Sequence, residues 1–340
     1  MAMPRAGLRL YLSRRYGFRG FRGDQLFSWM HQKRVRGFEE MTNVAKEARA
    51  LLAREERLTR PRESNRLTAV DGTVKLLLRL EDGQPVEAVL IPEPDRLTAC
   101  LSTQVGCRMG CTFCQTGAAG FRRQLGADEI VAQLYSLQEL ADRRISNVVL
   151  MGMGEPLDNI DAVQDALSII TDDMGICIGA RKITVSTVGI PEGIRRLREQ
   201  EGAFGLALSL HSAVQQTRER LMPTARRWRL AEVRKALLDY ARTKGRRITL
   251  EYCLIRDAND STGEADALAE FAAGLPCKIN LIVYNPVEGL PWKRPSDDAV
   301  DRFAAYLYPR CPAVTVRRSR GREVAAACGQ LGASIIGDGV

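Results

Sequence analysis

From about residue 127 onward, amphipathic stretches of helical period alternate with short runs rich in β-branched and apolar residues. The period predicts helices near 127–142, 160–170, 190–200, 230–243, 262–273 and 296–308. Between them lie Ser146-Asn-Val-Val-Leu-Met, Lys182-Ile-Thr-Val-Ser, Gly205-Leu-Ala-Leu-Ser-Leu, Ile248-Thr-Leu-Glu-Tyr-Cys, Lys278-Ile-Asn-Leu-Ile and Ala313-Val-Thr-Val. Strands that take turns with helices form βα units on a parallel sheet. The expected fold is α/β, a partial (βα)6 barrel with its site at the C-terminal strand ends.

The first hundred residues have another pattern. Leu26, Phe27, Trp29 and Met30 share one face of a helix over 21–34, and a second helix is expected from Glu39 to Glu56, with Met41, Val44, Ala48, Leu51 and Leu52 inward. Three strand-like stretches come next, Lys75–Leu80, Val86–Ile91 and Thr98–Thr103, with Asp82-Gly83 as the turn between the first two. The expected organisation is a small helical module over 1–62, a short antiparallel β extension over 63–97, the barrel core over 98–333 and a tail over 334–340.

Composition narrows the class. The 340 residues are 45% hydrophobic and 27% charged, the balance of a folded chain, and no run is apolar enough for a membrane helix. The net charge of +9 is concentrated, for residues 1–60 hold 14 Lys and Arg against 6 Asp and Glu. A second basic run, Arg317-Arg318-Ser-Arg320-Gly-Arg322, lies near the end. Such a patch is the footprint of a polyanion such as RNA or DNA, or a solvated surface with no partner; charge alone leaves both open.

Nine cysteines at irregular spacing are no disulfide framework for a chain of this size. Three crowd into Gly106-Cys107-Arg-Met-Gly-Cys111-Thr-Phe-Cys114, a C-x3-C-x2-C loop. Three thiolates on one loop can ligate three irons of a [4Fe–4S] cubane and leave the fourth open to a small molecule. Zinc would want a fourth ligand, and His31 and His211 are the chain's two histidines.

These motifs carry a resemblance. The cysteine loop with Phe113 inside it resembles the signature of the radical S-adenosylmethionine superfamily. Phe21-Arg-Gly-Asp-Gln-Leu-Phe-Ser-Trp, Met151-Gly-Met-Gly-Glu-Pro156, Ser209-Leu-His211, Leu221-Met-Pro223, Tyr284-Asn-Pro286 and Ala326-Ala-Cys-Gly-Gln-Leu331 resemble the RlmN family of adenine-C2 RNA methyltransferases. The likeness runs from about residue 18 to 333.

That resemblance implies a role for each matching residue. Cys107, Cys111 and Cys114 hold the cluster, and Gly154, Glu155, Ser186, Ser209, Leu210, His211 and Asn285 contact S-adenosylmethionine. Cys328 takes a methyl group from one S-adenosylmethionine, and a radical made from a second activates it for attachment to carbon 2 of adenine. Glu87 removes the carbon-2 proton, and Cys100 releases the product through a transient disulfide. The substrates are 23S rRNA and tRNA, the electron donor is a low-potential protein such as flavodoxin, and the chain is a cytoplasmic monomer. Cys177, Cys253, Cys277 and Cys311 are expected to be buried apolar thiols. Two departures from the family pattern bear on substrate choice: Arg322-Glu-Val-Ala before the Cys328 loop and Thr224-Ala-Arg-Arg-Trp after Pro223. The rival readings are an adenine-C8 methyltransferase of the antibiotic-resistance branch and a zinc-stabilised RNA-binding protein.

Overall fold

The computed structural model describes residues 3–317 and 320–332. The expected tail 334–340 and Arg318 of the C-terminal basic run lie outside the described residues.

The chain opens with helices α1 (Arg5–Tyr16), α2 (Gly20–His31) and α3 (Lys46–Glu55). An antiparallel meander comes next, β1 (Arg62–Thr68), β2 (Val74–Arg79), β3 (Pro85–Glu93) and β4 (Arg96–Cys100). A short ribbon, β5 (Gln104–Gly106) with β6 (Phe121–Gln124), encloses the cysteine loop and the single-turn helix α4 (Gln115–Ala118). The remaining elements are α5 (Ala127–Leu140), β7 (Asn147–Leu150), α6 (Ile160–Thr171), β8 (Ile183–Thr187), α7 (Pro191–Glu199), β9 (Gly205–Ser209), α8 (Gln215–Leu221), α9 (Leu230–Lys244), β10 (Ile248–Leu254), α10 (Thr262–Ala272), β11 (Cys277–Val283), α11 (Asp297–Leu307) and β12 (Val314–Arg317).

All but the ribbon join one ten-stranded sheet in the order β1-β2-β3-β4-β7-β8-β9-β10-β11-β12. From β4 onward every neighbour is parallel, reached through α5, α6, α7, α9, α10 and α11 in turn. The strand order is that of an open barrel of (βα)6 type, because β12 ends the row beside β11 and does not return to β4. Parallel strands need both faces covered, which the inward residues and the outer helices accomplish. Among the described residues no helix is long and apolar enough to cross a membrane.

The N-terminal module is not a loose appendage. Leu8, Leu12, Leu26, Phe27 and Met30 belong to the same buried apolar core as the barrel. His31 joins the two directly: its ring lies 4.4 Å from that of Phe27, and its Nδ1 is 2.5 Å from the Tyr135 hydroxyl on α5.

Three elements differ from expectation. The single helix over 39–56 is a 3-10 turn at Phe38–Glu40 succeeded by α3. Asn43 interrupts it, since its carbonyl accepts from Gln25 Nε2 at 2.8 Å and its side-chain oxygen accepts from Trp29 Nε1 at 2.5 Å. A short polar side chain tied to a neighbouring helix leaves its own backbone outside a helical ladder. Helix α1 has no clear apolar stripe in sequence, because it buries only Leu8 and Leu12 amid arginines. Strand β1 carries no alternation at all, since every residue in it is exposed and pairing with β2 alone holds it.

Burial holds the His31 pKa down to about 3, with Arg60 adding to the effect. The folded state therefore keeps His31 neutral where the unfolded chain, titrating near 6.5, takes up a proton. Stability is unaffected above that value and is lost as pH falls from about 6.5 toward 3, at about 1.4 kcal/mol per pH unit for each such group. His31→Gln should lower proton uptake on unfolding by about one between pH 4 and 6, read as a shallower slope of unfolding free energy against pH. An unchanged slope would show that His31 is already charged in the fold.

Candidate active site

The cysteine loop begins where β5 ends. Gly106 has φ 75°, and a Cβ there would stand 1.9 Å from the Gly120 carbonyl oxygen, so a side chain is excluded where ribbon meets loop. The Cys107 N–H donates to that carbonyl at 2.8 Å, the Thr112 N–H to Leu221 O at 2.9 Å, and the Trp292 indole to Thr112 O at 2.9 Å. Cys107, Cys111 and Cys114 pack against an apolar cluster of Met109, Phe113, Val188, Leu221, Met222, Cys253 and Tyr284, separate from the main core.

All three thiols face one cavity at the C-terminal ends of the barrel strands, which Gly154, Glu155, Ser186, Ser209, His211 and Cys328 also line. Burial pushes the Cys107 thiol up to about 12 and the Cys111 thiol well above its usual value. Cys111 is raised further by Cys114 and Cys107, so the three stand close enough to resist joint ionisation. Among the described residues no three His, Cys, Asp or Glu side chains converge as a single-ion site would need. A cubane instead takes one thiolate per iron and supplies the positive charge these buried sulfurs lack. The donor set fits such a cluster.

Glu155 comes just after the sharp turn that ends β7. Burial raises its pKa to about 7, opposed by N–H groups that bond both oxygens: Val188 to Oε2 at 2.8 Å and Leu157 to Oε1 at 3.0 Å. The carboxylate thus staples the β7 turn to the end of β8 while lining the cavity. Ser186 and Ser209 face each other across β8 and β9, with hydroxyl oxygens 3.4 Å apart.

His211, at φ 56°, is a rare non-glycine in the left-handed region. Its Nδ1 accepts the Cys253 N–H at 3.0 Å, so the neutral ring carries its proton on Nε2. Its ring meets Phe113 edge-on at 4.9 Å. Burial and the Arg218 charge hold its pKa down to about 3, which keeps it neutral.

Cys328 arrives on the segment after β12. The Gln115 N–H donates to Gly329 O at 2.8 Å and the Thr116 hydroxyl to Leu331 O at 2.5 Å, which seats that segment beside the cysteine loop. Cys328 keeps accessible surface within the cavity. Burial by its surroundings raises its pKa, while Arg317 opposes that and Glu251 adds to it.

Four expected site residues do not line the cavity. Cys100 is buried at the end of β4, pushed up to about 12 by burial and then by Cys328. Glu87 is buried on β3, where its Oε2 accepts the Gly332 N–H at 3.2 Å. Leu210 is wholly buried, its N–H on Glu251 O at 3.0 Å. Asn285 lines an adjoining depression with Pro286, Gly321 and Gln330.

The cavity also contains residues to which the sequence motifs assign no place in it, Tyr284 of the Tyr284-Asn-Pro286 motif and Arg317 of the basic run among them. Glu251, Cys253, Tyr284 and Arg317 line it, and Arg218 is buried nearby with Nε on Leu210 O at 3.2 Å. A glutamate inside the otherwise apolar Ile248–Cys253 strand is the one available signal for Glu251. Burial raises its pKa, opposed by the Asn280 amide, which donates to Oε2 at 2.9 Å. Cys253 is buried as expected, yet it faces the cavity and packs beside the cysteine loop. Cys277 and Cys311 are buried, but Cys177 is exposed on a turn at φ 57°, where Arg144 bonds its carbonyl at 3.0 Å. That corrects the expectation for Cys177, whose apolar neighbours in sequence point inward while the turn points it out.

Comparison with known proteins finds relatives along nearly the whole chain. The model of the radical SAM superfamily matches residues 101–269, and that of the ribosomal RNA large subunit methyltransferase N-terminal domain matches residues 1–57. The dual-specificity RNA methyltransferase RlmN of Nitratidesulfovibrio vulgaris (strain Miyazaki F) is 46% identical over 92% of this chain and 88% of its own length. The probable dual-specificity RNA methyltransferase RlmN of Salinibacter ruber is 44% identical over 97% of this chain and 92% of its own. A solved radical SAM methyltransferase from Sphaerobacter thermophilus superposes with a TM-score of 0.92 at 40% identity, covering 97% of this chain and 98% of that one.

Gly154 has φ 99°, and a Cβ there would meet Gln104 Cβ at 2.6 Å. Gly154→Ala should cost about 2 kcal/mol or more in urea unfolding and lose S-adenosylmethionine binding in equilibrium dialysis. Gly83→Ala, at φ 80° in open space, should cost only about 1 kcal/mol and bind normally. Equal losses in the two variants would contradict the expectation that the crowded turn at Gly154 contacts S-adenosylmethionine.

Proposed function

We propose a function that starts from one fact: this chain belongs to the RlmN family of radical S-adenosylmethionine RNA methyltransferases. It methylates carbon 2 of adenine in 23S rRNA and in tRNA. The observation that carries this reading is the meeting of Cys107, Cys111 and Cys114 with Cys328 in one cavity, although more than 200 residues separate loop from cysteine.

Cys107, Cys111 and Cys114 would hold a [4Fe–4S] cluster whose open iron takes S-adenosylmethionine. When bound and reduced, that pair supplies a 5′-deoxyadenosyl radical for a carbon that ordinary nucleophilic methylation does not reach. Gly154, Glu155, Ser186, Ser209 and His211 line the cavity and orient the cofactor, with Leu210 buried behind them and Asn285 beside the cavity in its own depression, and the apolar cluster around the cysteine loop excludes water. Neutral His211 can donate from Nε2 without placing a second positive charge beside a sulfonium.

Cys328 loses its proton and takes a methyl group, with S-adenosylhomocysteine as the leaving group; a second S-adenosylmethionine is used in the radical step. One hydrogen of the S-methyl group leaves as 5′-deoxyadenosine, the carbon so freed bonds to carbon 2 and joins Cys328 to adenine, and the odd electron returns to the redox partner. Glu87 accepts the carbon-2 proton. The Cys100 thiol gives up its proton and its sulfur attacks Cys328, so that the carbon–sulfur bond breaks, the departing carbon takes up a proton to become the methyl group, and a disulfide forms that a two-electron thiol reductant reopens. Register supports their cooperation: Cys100 of β4 opposes Val89, two residues from Glu87 on β3, so both look to one face of the sheet. A low-potential donor such as flavodoxin supplies electrons, and the working form is a cytoplasmic monomer.

Residues 1–62 grip the RNA backbone. Much of their charge is already answered, Arg9 by Asp24 and Arg36 by Glu139, each at 2.6 Å, and Arg15 by Glu55 at 3.5 Å. Arg14, Arg19 and Lys33 are exposed with no carboxylate partner among the described residues. Exposed cations of this kind can neutralise phosphates. A flipped adenine would then reach the barrel mouth.

Two experiments test this. The order of the two thiols predicts that Cys100→Ala stalls as a covalent protein–RNA adduct, a slow, nuclease-sensitive band on a denaturing gel. Cys328→Ala and the double variant should give none. Normal turnover by Cys100→Ala would end the assignment. In wild type, nucleoside mass spectrometry should find 2-methyladenosine; 8-methyladenosine would place the chain in the sister activity.

For the basic module, replacing Arg14, Arg19 and Lys33 with Gln together should weaken RNA binding across sequences. It should also flatten the plot of log affinity against log salt by about 0.7 to 0.9 for each phosphate no longer neutralised. An unchanged salt slope would remove these residues from the interface.

A further inference from the structure

Lys75 is a buried cation that the chemistry above does not use. Only 8% exposed, it lies on β2 opposite Val89 of β3, which in turn opposes Cys100 of β4. Directly opposed residues of antiparallel strands share a face, so Lys75, Cys100 and Glu87 look to the same side of the sheet. The segment that bears Cys328 lies over that side.

Lys75 Nζ stands 3.7 Å from Glu87 Oε2 and donates to the Ala325 carbonyl at 3.1 Å. The same carboxylate oxygen accepts the Gly332 N–H at 3.2 Å. One ion pair thus grips the segment on both sides of Cys328, three residues before it and four after. Ala325 is itself a non-glycine at φ 49°, a conformation unfavourable to a residue with a Cβ, so its carbonyl keeps that direction only while something holds it.

We propose that Lys75 is a positioning residue that couples docking of the Cys328 segment to engagement of the Glu87 carboxylate. When the segment lifts, Lys75 loses its carbonyl and Glu87 loses the Gly332 N–H in the same movement. Both groups are then uncovered on the face that the segment had occupied. The thiol is therefore held in the cavity for its early work, and proton removal is tied to its departure. This rests on the reading of Glu87 as the base and Cys328 as the methyl carrier.

The test is hydrogen exchange on the anaerobically purified, cluster-loaded full chain, with Lys75→Met, Lys75→Arg and the double variant Lys75→Met/Glu87→Gln. Loss of a buried charge-assisted bond should speed exchange in residues 320–332 about tenfold in Lys75→Met. Exchange in the barrel strands should stay as in wild type. Lys75→Arg should restore most of the protection. The double variant, which leaves no carboxylate without its cation, should remain as loose as Lys75→Met. Wild-type exchange over 320–332 in Lys75→Met would overturn the proposal, and so would equal loosening throughout the fold. Glu87→Gln alone separates the two readings: full RNA methylation by that variant would end the role of Glu87 as base, whereas the exchange result judges Lys75 independently.

Discussion

The site depends on how the segment after β12 is seated across the open end of the strands. The Gly329 and Leu331 carbonyls accept from Gln115 and Thr116 on one side, and the Gly321 N–H donates to Asp71 at 3.0 Å on the other. These bonds tie the last described residues to α4, just beyond the cysteine loop, and to the tip of the antiparallel meander. Without them, Cys328 would have no fixed relation to Cys107, Cys111 and Cys114. A buried backbone polar group costs free energy when left unbonded, so each such bond specifies a place as well as stabilising it.

The protein groups in and around this cavity disfavour charge. Burial keeps the Cys107, Cys111, Cys100 and Cys328 thiols protonated, raises Glu155 and Glu251, and holds His211 neutral. A cluster with its bound sulfonium changes that balance, since it brings the charge that thiolates and carboxylates can answer. Such linkage makes assembly of the site and ionisation of its residues a single event. Arg317 is the exception, because the thiols and Glu251 nearby raise its pKa and it stays charged.

The antiparallel meander has a part in this that its modest size conceals. β1 is wholly exposed, yet its pairing positions β2, and β2 and β3 carry Lys75 and Glu87 beneath the C-terminal segment. β4 then serves as the last antiparallel and first parallel strand, with Cys100 at its end. One continuous sheet therefore links the cysteine expected to resolve the adduct to the wall of the cofactor cavity.

Most of the barrel was legible in the chain, because helix and strand periods are set by residues within a few positions of one another. So was the cysteine loop, whose three thiols lie within eight residues. The 3-10 turn at Phe38, the exposed strand β1 and the outward Cys177 were not legible: Asn43 is held by Gln25 and Trp29 of another helix, β1 has no buried face to give an alternation, and a turn carries Cys177 outward. Only the tertiary structure could show that Lys75, Glu87 and Cys100 share a face, or that Glu251, Cys253 and Arg317 line the same cavity as the three cysteines. Those relations come from strand register and crossover order, which are properties of the sheet as a whole. A one-residue slip would turn each of these side chains to the opposite face while leaving the local sequence pattern unchanged.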